Sequence, residues 1–367
     1  MVQIKDSEFA KNSKFTFEDA WKFITKVGLA AHKYGSTATR LESFLMGLSE
    51  RFGYEGVFRS NPSDIIFALR ESPELTQRME LIATPASDVN LDKLARLGDM
   101  LNEYHAGTIF LSEAYDRIDE IEDLPSPWGK FATMLGYAFV GVGLAPLLGG
   151  GWLDTLFATL FSMIVYGIVL LSGRIGPEAV RWLPFSSAFV VGLIATTLKM
   201  WLPELNLVLI VLSAVAIILP GYAISLGAGE IVEQHIVSGI SNLMNGLIIL
   251  IKQIAGGWLG IVLASSVLSV DSSATAMPVG QLWLLILFPL LLIGLCLVFQ
   301  ISRRDLFWAV LVSGITYLGV LAGSSVLDSN LGNLVGTIIA VILANLWSRK
   351  TGRPTSIVLI PVIVMLV

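Results

Sequence analysis

The stretch DTLFATLFSMIVYGIVL at residues 154–170 returns 151 residues later as DLFWAVLVSGITYLGVL at 305–321. At that constant offset Asp154/Asp305, Ala158/Ala309, Leu160/Leu311, Ser162/Ser313, Ile164/Ile315, Tyr166/Tyr317, Val169/Val320 and Leu170/Leu321 are identical. Apolar bias accounts for matched leucines and isoleucines, but not for Asp, Ser and Tyr kept in register. A weaker echo pairs Val191-Gly192-x-Ile194 with Val335-Gly336-x-Ile338.

Working outward, both copies lie in a series of apolar runs, each long enough, or nearly so, to cross a bilayer, which takes roughly 20 residues. The runs are 131–150, 153–172, 184–201, 206–226, 250–270, 281–300, 307–325, 332–347 and 355–367. The repeated segments are the second and seventh of these nine. A shift of five spans is odd, so the two copies run in opposite directions through the membrane. Inverted repeats place a site near the bilayer midplane, between halves that rock to expose either side, and this is the pattern of a secondary transporter. Duplication in a membrane protein that transports nothing is the other reading.

Composition supports lipid as the solvent of this part. Residues 1–130 hold 15 of the 24 Lys and Arg and 21 of the 29 Asp and Glu. The remaining 237 residues carry only 9 basic and 8 acidic side chains, too few to cover a water-soluble domain of that size. Lys and Arg in short loops mark the cytoplasmic side. With the N-terminus inside, Arg174, Arg181, Arg303, Arg304, Arg349, Lys350 and Arg353 fall inside and only Lys199 outside. The N-terminal sequence MVQIKDSEFAKNSKF has no apolar signal core, which also predicts a cytoplasmic first domain.

That first domain, residues 1–127, reads as soluble α/β and ends in Leu124-Pro125-Ser126-Pro127. Helical spacing covers 17–34, 38–52, 90–105 and 109–122; strand-like runs are Gly56–Arg59, Asp64–Leu69 and Arg78–Ile82, with a turn at Asn61-Pro62-Ser63. Its excess of acidic groups speaks against nucleic-acid binding. It contains no nucleophile–base pair, P-loop or zinc spacing, so no enzymatic activity, cofactor or metal is expected. Ser36 or Thr37 is expected to cap the second helix. Cys296, the single cysteine, lies in an apolar run and is read as packing.

Several residues of the membrane part could carry chemistry. Ser162 and Tyr166 share a helix face, as do Ser313 and Tyr317, and these hydroxyls either bind a small polar solute or join neighbouring helices. Pro220-Gly221 interrupts an apolar run, giving either a simple kink or a broken helix whose backbone dipoles hold substrate. Glu230 and Glu233, followed by Gln234 and His235, read either as the solvated face of a connecting helix or as a proton relay. Lys252 snorkels to the cytoplasmic edge if its span begins near 250; an earlier start makes it an intramembrane anion site.

Taken together, the chain resembles the threonine/serine exporter family. The likeness runs through YGSTATRLESFL (34–45), VFRSNPSDIIFAL (57–69), ILPGYAISLGAGEIVEQHIVSGISNL (218–243) and RKTGRPTSIVLIPVIVMLV (349–367). Gly35, Arg40 and Glu42 match one recurrent pattern of that family, and Pro220-Gly221, Glu230 and Ser238-Gly239 another. The resemblance implies a cytoplasmic domain followed by ten spans in two units of five, the tenth lying past Val367. It implies export of threonine and serine, driven by protons; some two-chain relatives look like succinate exporters instead.

The sequence therefore predicts an α-helical polytopic membrane protein with an N-terminal soluble α/β domain and two inverted repeats, at 128–270 and 271–367. Ser162, Tyr166, Ser313, Tyr317, Pro220 and Gly221 are the expected substrate groups, and Glu230 and Glu233 the expected proton carriers. Its partners are a small amino acid, the lipid of a bacterial inner or plasma membrane and, as an open option, a second copy of itself. A dicarboxylate exporter, or a membrane-tethered regulatory or hydrolytic protein, are the alternatives.

Overall fold

A computed structural model describes residues 16–84, 89–268, 277–326 and 331–366. The chain opens with α1 (Phe17–Lys33) and α2 (Ala38–Arg51), followed by β1 (Glu55–Asn61), β2 (Asp64–Arg70) and β3 (Arg78–Ala83), then α3 (Leu91–His105) and α4 (Leu111–Asp123). Local chemistry sets these bounds. At the start of α1 the Thr16 hydroxyl accepts from Asp19 N–H at 3.2 Å, and the Asp19 carboxylate accepts from Thr16 N–H at 3.1 Å, a reciprocal cap. Asn61 pairs with Asp64 across the two-residue Pro62-Ser63 turn, which fixes the register of an antiparallel sheet of order β1-β2-β3. On β2, Ile65, Phe67 and Leu69 alternate inward and are fully buried beside Phe23 and Ile24 of α1 and Leu41 and Leu45 of α2 in one apolar core.

Among the described residues the apolar part folds into helices: α5 (Gly129–Leu147), α6 (Trp152–Ile175), α7 (Pro177–Lys199), α8 (Leu207–Val215), α9 (Gly221–Val232), α10 (Ile236–Val267), α11 (Gln281–Val298), α12 (Leu306–Val326), α13 (Gly332–Thr351) and α14 (Ser356–Leu366). Among the described residues seven of these are long and apolar enough to cross a membrane, and α8 and α9 add an eighth span if counted as one bent helix. Among the described residues eight of the predicted apolar runs fall mainly on one helix each, whereas 206–226 is divided between α8, a 3-10 turn and α9. The ninth, 355–367, forms only the 11-residue α14.

Lipid exposure is visible along α6. Leu156, Leu160, Ile164 and Leu171 are exposed at helical spacing, while Ala158, Ser162, Val165 and Tyr166 on the opposite face are buried. A helix with its apolar side outward and its hydroxyls inward suits a hydrocarbon solvent. The chain is therefore a polytopic helical membrane protein with an N-terminal α/β region.

Packing divides the chain into two units. One comprises residues 16–125 with Leu226–Leu243 and Leu346–Ser356; the other comprises Ser126–Ser225, Met244–Asn345 and Ile357–366. The first unit therefore contains most of α9 and the first turns of α10. It is also tied internally by the Arg353 guanidinium, which binds the Asp99 carboxylate through Nε at 2.9 Å and Nη2 at 3.2 Å.

Candidate functional site

A buried polar cluster lies within the first unit, where α2 meets the turn between α9 and α10. Gly35 precedes α2 at φ +92°, a backbone conformation that favours glycine. Thr37 occupies the cap position, as expected, yet its side chain makes no capping bond. The free N–H of Ala38 instead donates to Glu230 Oε1 at 3.3 Å, and the Thr39 hydroxyl donates to Glu233 Oε2 at 2.6 Å. A carboxylate from nearly 200 residues away thus caps α2, where helix N–H groups favour negative charge.

Glu230 reaches this position because the chain folds back sharply. The helix expected to carry Glu230 and Glu233 ends between them, at Val232, where α9 stops. Gln234 takes a left-handed φ of 69°, and His235 N–H closes the turn on the Glu230 carbonyl at 2.8 Å. Gly227 and Gly239 let α9 and α10 touch, since a Cβ on either would stand 2.7 Å from the other's carbonyl oxygen. Ser238 and Asn242, four residues apart on one face of α10, then donate to Glu230 Oε2 at 2.9 and 2.8 Å. Glu230 is only 2% exposed and has three donors, so its acceptor sites are well matched.

One turn along α2, Glu42 forms a second buried carboxylate. It accepts from Ser60 N–H at 2.8 Å and Arg59 Nη1 at 2.6 Å, and His235 Nδ1 stands 3.6 Å away. Arg40, on the same helix, is half-buried, and burial lowers its guanidinium from its ordinary pKa. The cluster therefore gathers the polar residues of two distant sequence segments. Sequence reasoning proposed Glu230 and Glu233 as acids but missed that their partners lie on α2. Asn242 carried no signal of its own.

The expected substrate groups of the membrane part each make local contacts of their own. Ser162 and Ser313 are fully buried, and each hydroxyl donates to its own helix four residues back, to Ala158 O and Ala309 O, both at 2.8 Å. Each keeps its acceptor capacity. Tyr166 packs against Tyr137 at a ring distance of 5.0 Å, whereas Tyr317 stacks on Phe288 at 3.9 Å. Pro220 and Gly221 stand at a 59° bend between α8 and α9. Pro220 offers no N–H, and the Ala216 carbonyl, four residues back, turns to Leu219 N–H in a short 3-10 turn. Lys252 lies well inside α10, yet its Nζ donates to the Arg181 carbonyl at 3.0 Å and lies 5.5 Å from the Trp182 ring, a snorkelling arrangement.

The repeated aspartates have matching local roles. Asp154 accepts from Gly151 N–H at 3.0 Å and Asn206 N–H at 2.8 Å at the start of α6, and Asp305 accepts from the Ser302 hydroxyl at 2.7 Å at the start of α12. The crossing of α5 and α11 is reciprocal. A Cβ on Gly143 would stand 2.7 Å from Leu287 O and 2.5 Å from Leu291 Cβ. A Cβ on Gly294 would stand 2.8 Å from Gly136 O and 3.0 Å from Val140 N. Positions 136, 140 and 143 become 287, 291 and 294 on adding 151, so each helix presents the same three positions to the other. Numbers rise on α5 as they fall on α11, so the two helices are antiparallel.

Comparison with known proteins gives two family matches. A model described as "Putative threonine/serine exporter" matches residues 22–264, and one described as "Threonine/Serine exporter, ThrE" matches 284–367. Pheromone-regulated membrane protein 10 of Candida albicans is 24% identical over 344 residues, covering 89% of this chain and 30% of its own length. The "Probable threonine/serine exporter" of Mycobacterium tuberculosis is 28% identical over 109 residues, 30% of this chain and 20% of that protein. The threonine/serine exporter of Corynebacterium glutamicum is 30% identical over 89 residues, 24% of this chain and 18% of that one. The chain spans about a third of the length of the first of these relatives. No solved structure matches it.

Proposed function

The chain belongs to the threonine/serine exporter family, and from that premise we propose that it is a secondary transporter exporting threonine and serine by alternating access, coupled to protons. The observation that carries this reading is the reciprocal α5–α11 crossing. Two antiparallel helices that present equivalent positions to each other are related by a two-fold axis across their length, which in a bilayer lies in the membrane plane. The helix bounds agree with it. Adding 151 to α5 gives 280–298 against Gln281–Val298 for α11, α6 gives 303–326 against Leu306–Val326, and α7 gives 328–350 against Gly332–Thr351. Inverted repeats of this kind, 128–270 and 271–367, can exchange conformations and so open to either side.

In this reading residues 1–127 form a cytoplasmic domain, consistent with the excess of Arg and Lys in the loops on that side. Ser162, Tyr166, Ser313, Tyr317 and the Pro220-Gly221 break serve the solute. Glu230 carries the coupling proton, with Glu233 and the Thr39 hydroxyl beside it. A proton on Glu230 converts an acceptor into a donor and costs the carboxylate one of its three partners. That change would loosen the junction of α2 with the α9–α10 turn and so link protonation to conformation.

Counterflow in proteoliposomes tests the proposal, with labelled threonine outside and unlabelled threonine, serine or succinate inside. Accumulation driven by threonine and serine but not succinate is expected. Accumulation of labelled succinate in the mirror assay would favour a dicarboxylate exporter. A bundle lacking activity while the N-terminal region alone carries one would point to a tethered regulatory or hydrolytic protein.

A further inference from the structure

Gln253 is 4% exposed, and neither its Nε2 nor its Oε1 has a hydrogen-bond partner. It lies on α10 on one stripe with Gly246, Gly257 and Gly260, spaced seven, four and three residues apart. The glycines on that stripe serve close packing. A Cβ on Gly257 would meet Val211 Cγ1 of α8 at 3.2 Å, one on Gly260 would meet Phe189 O of α7 at 2.4 Å, and one on Gly246 would meet Pro220 Cβ at 3.5 Å. The stripe therefore runs against α7 and α8 and on to the Pro220 break. Gln253 lies about 6 Å along the axis from Gly257 and about 10 Å from Gly246. Four residues on from Val211 and seven before Pro220, that is the level of residues 213–215, the last turn of α8 before Pro220 interrupts the helix. A buried carboxamide with both ends unmatched gains nothing from packing that an apolar side chain would not supply at lower cost.

We propose that the Gln253 carboxamide is a binding group for the transported solute, a small α-amino acid held beside the last turn of α8, just before its break. The chemistry selects this class. The amide offers two N–H donors and one carbonyl acceptor. A carboxylate takes the donors, and only a solute that also carries an ammonium or hydroxyl group satisfies the acceptor. A dicarboxylate leaves Oε1 unmatched, and the adjacent cation, Lys252, is engaged by the Arg181 carbonyl. The inference rests on the transporter reading and adds to it the residue that tells amino acid from dicarboxylate.

The test pairs counterflow with threonine-dependent thermal protection of the full chain. Gln253→Met keeps the length and removes the polarity; it is expected to melt no lower than the wild type. Its half-saturating threonine concentration should rise at least tenfold and its protection by threonine should vanish. Gln253→Asn, an amide set back by one methylene, should fall between the two and serves alone if the Met variant does not fold. Wild-type half-saturation and protection in these variants would overturn the assignment while leaving the transporter reading intact. A wild type that is protected by threonine in a Gln253-dependent way yet shows no counterflow would keep the site and remove the transport reading. A wild type with neither property would remove both.

Discussion

Glu230 and Gln253 lie 23 residues apart in the chain, and both are almost wholly buried, at 2% and 4% exposure. Their surroundings differ completely. Glu230, in the first packing unit, is met by the Ala38 N–H, the Ser238 hydroxyl and the Asn242 amide. Gln253, in the second, is met by nothing on either end. A buried polar group that is fully matched holds a structure in one arrangement, and its removal exposes several partners at once. A buried polar group left unmatched costs stability on the order of 1–3 kcal/mol and persists where a ligand completes it. The contrast separates a residue that fastens elements together from one that waits for a solute.

The largest effect that could break this comparison is at Glu230. Glu230→Ala leaves the Ala38, Ser238 and Asn242 donors unmatched, and should destabilise the protein by about 3 kcal/mol, read as a lowered melting temperature. Glu230→Gln keeps the shape and most of the bonds. It should melt within a few degrees of the wild type but transport without response to a protonophore. A fully proton-dependent Glu230→Gln protein would remove Glu230 from the coupling path and leave it as a fastener alone.

A second prediction concerns the two halves of the membrane part. Gly143→Val and Gly294→Val each force a side chain against a backbone carbonyl, at 2.7 and 2.8 Å from the Cβ. Each should cost about 2 kcal/mol by overpacking, and the two losses should be alike. Strongly unequal losses in stability would show that the α5–α11 crossing is not two-fold in its energetics.

A smaller effect belongs to the α/β region. Burial lowers the His105 imidazole to about 4, so the ring is neutral when folded and takes up its proton more readily when unfolded. The unfolded chain therefore binds the extra proton between pH 6.5 and about 4, and stability present above that window is lost as pH falls through it. His105→Phe should flatten this acid dependence by about 1 kcal/mol, an amount reduced by the partial exposure of the ring. Melting of both proteins across the window gives the difference directly.

The smallest expected change is from Ser162→Ala combined with Ser313→Ala. Both hydroxyls already donate within their own helices, so only their acceptor capacity is lost. Transport should weaken about two- to fivefold. Unchanged kinetics would leave both serines as helix packing and sharpen the role of Gln253.

Most of the secondary structure was legible in the sequence because it depends on local periodicity and local caps. The apolar runs mark the helices of the membrane part, and the turn at Asn61-Pro62-Ser63 closes the β1–β2 hairpin where it was expected. The repeated Asp154 and Asp305 could be seen as a pair from spacing alone, and their common role at a helix start follows from side chains close in the chain. The candidate site was legible only in part. Glu230 stood out as an acid beside an apolar run, but its run was expected to continue as a helix, and the left-handed Gln234 ends it.

Sequence alone determined that this chain must be solvated by lipid over most of its length, that it is helical there, and that one segment recurs at an offset of 151. Those properties follow from composition and from interactions within a few residues. Tertiary structure alone decided that Glu230 caps a helix almost 200 residues away, that Glu42 and Arg59 share its neighbourhood, and that the Gln253 amide is buried without a partner. Whether a buried polar group is matched depends on atoms brought together from remote parts of the chain, and no local pattern records which of them arrive.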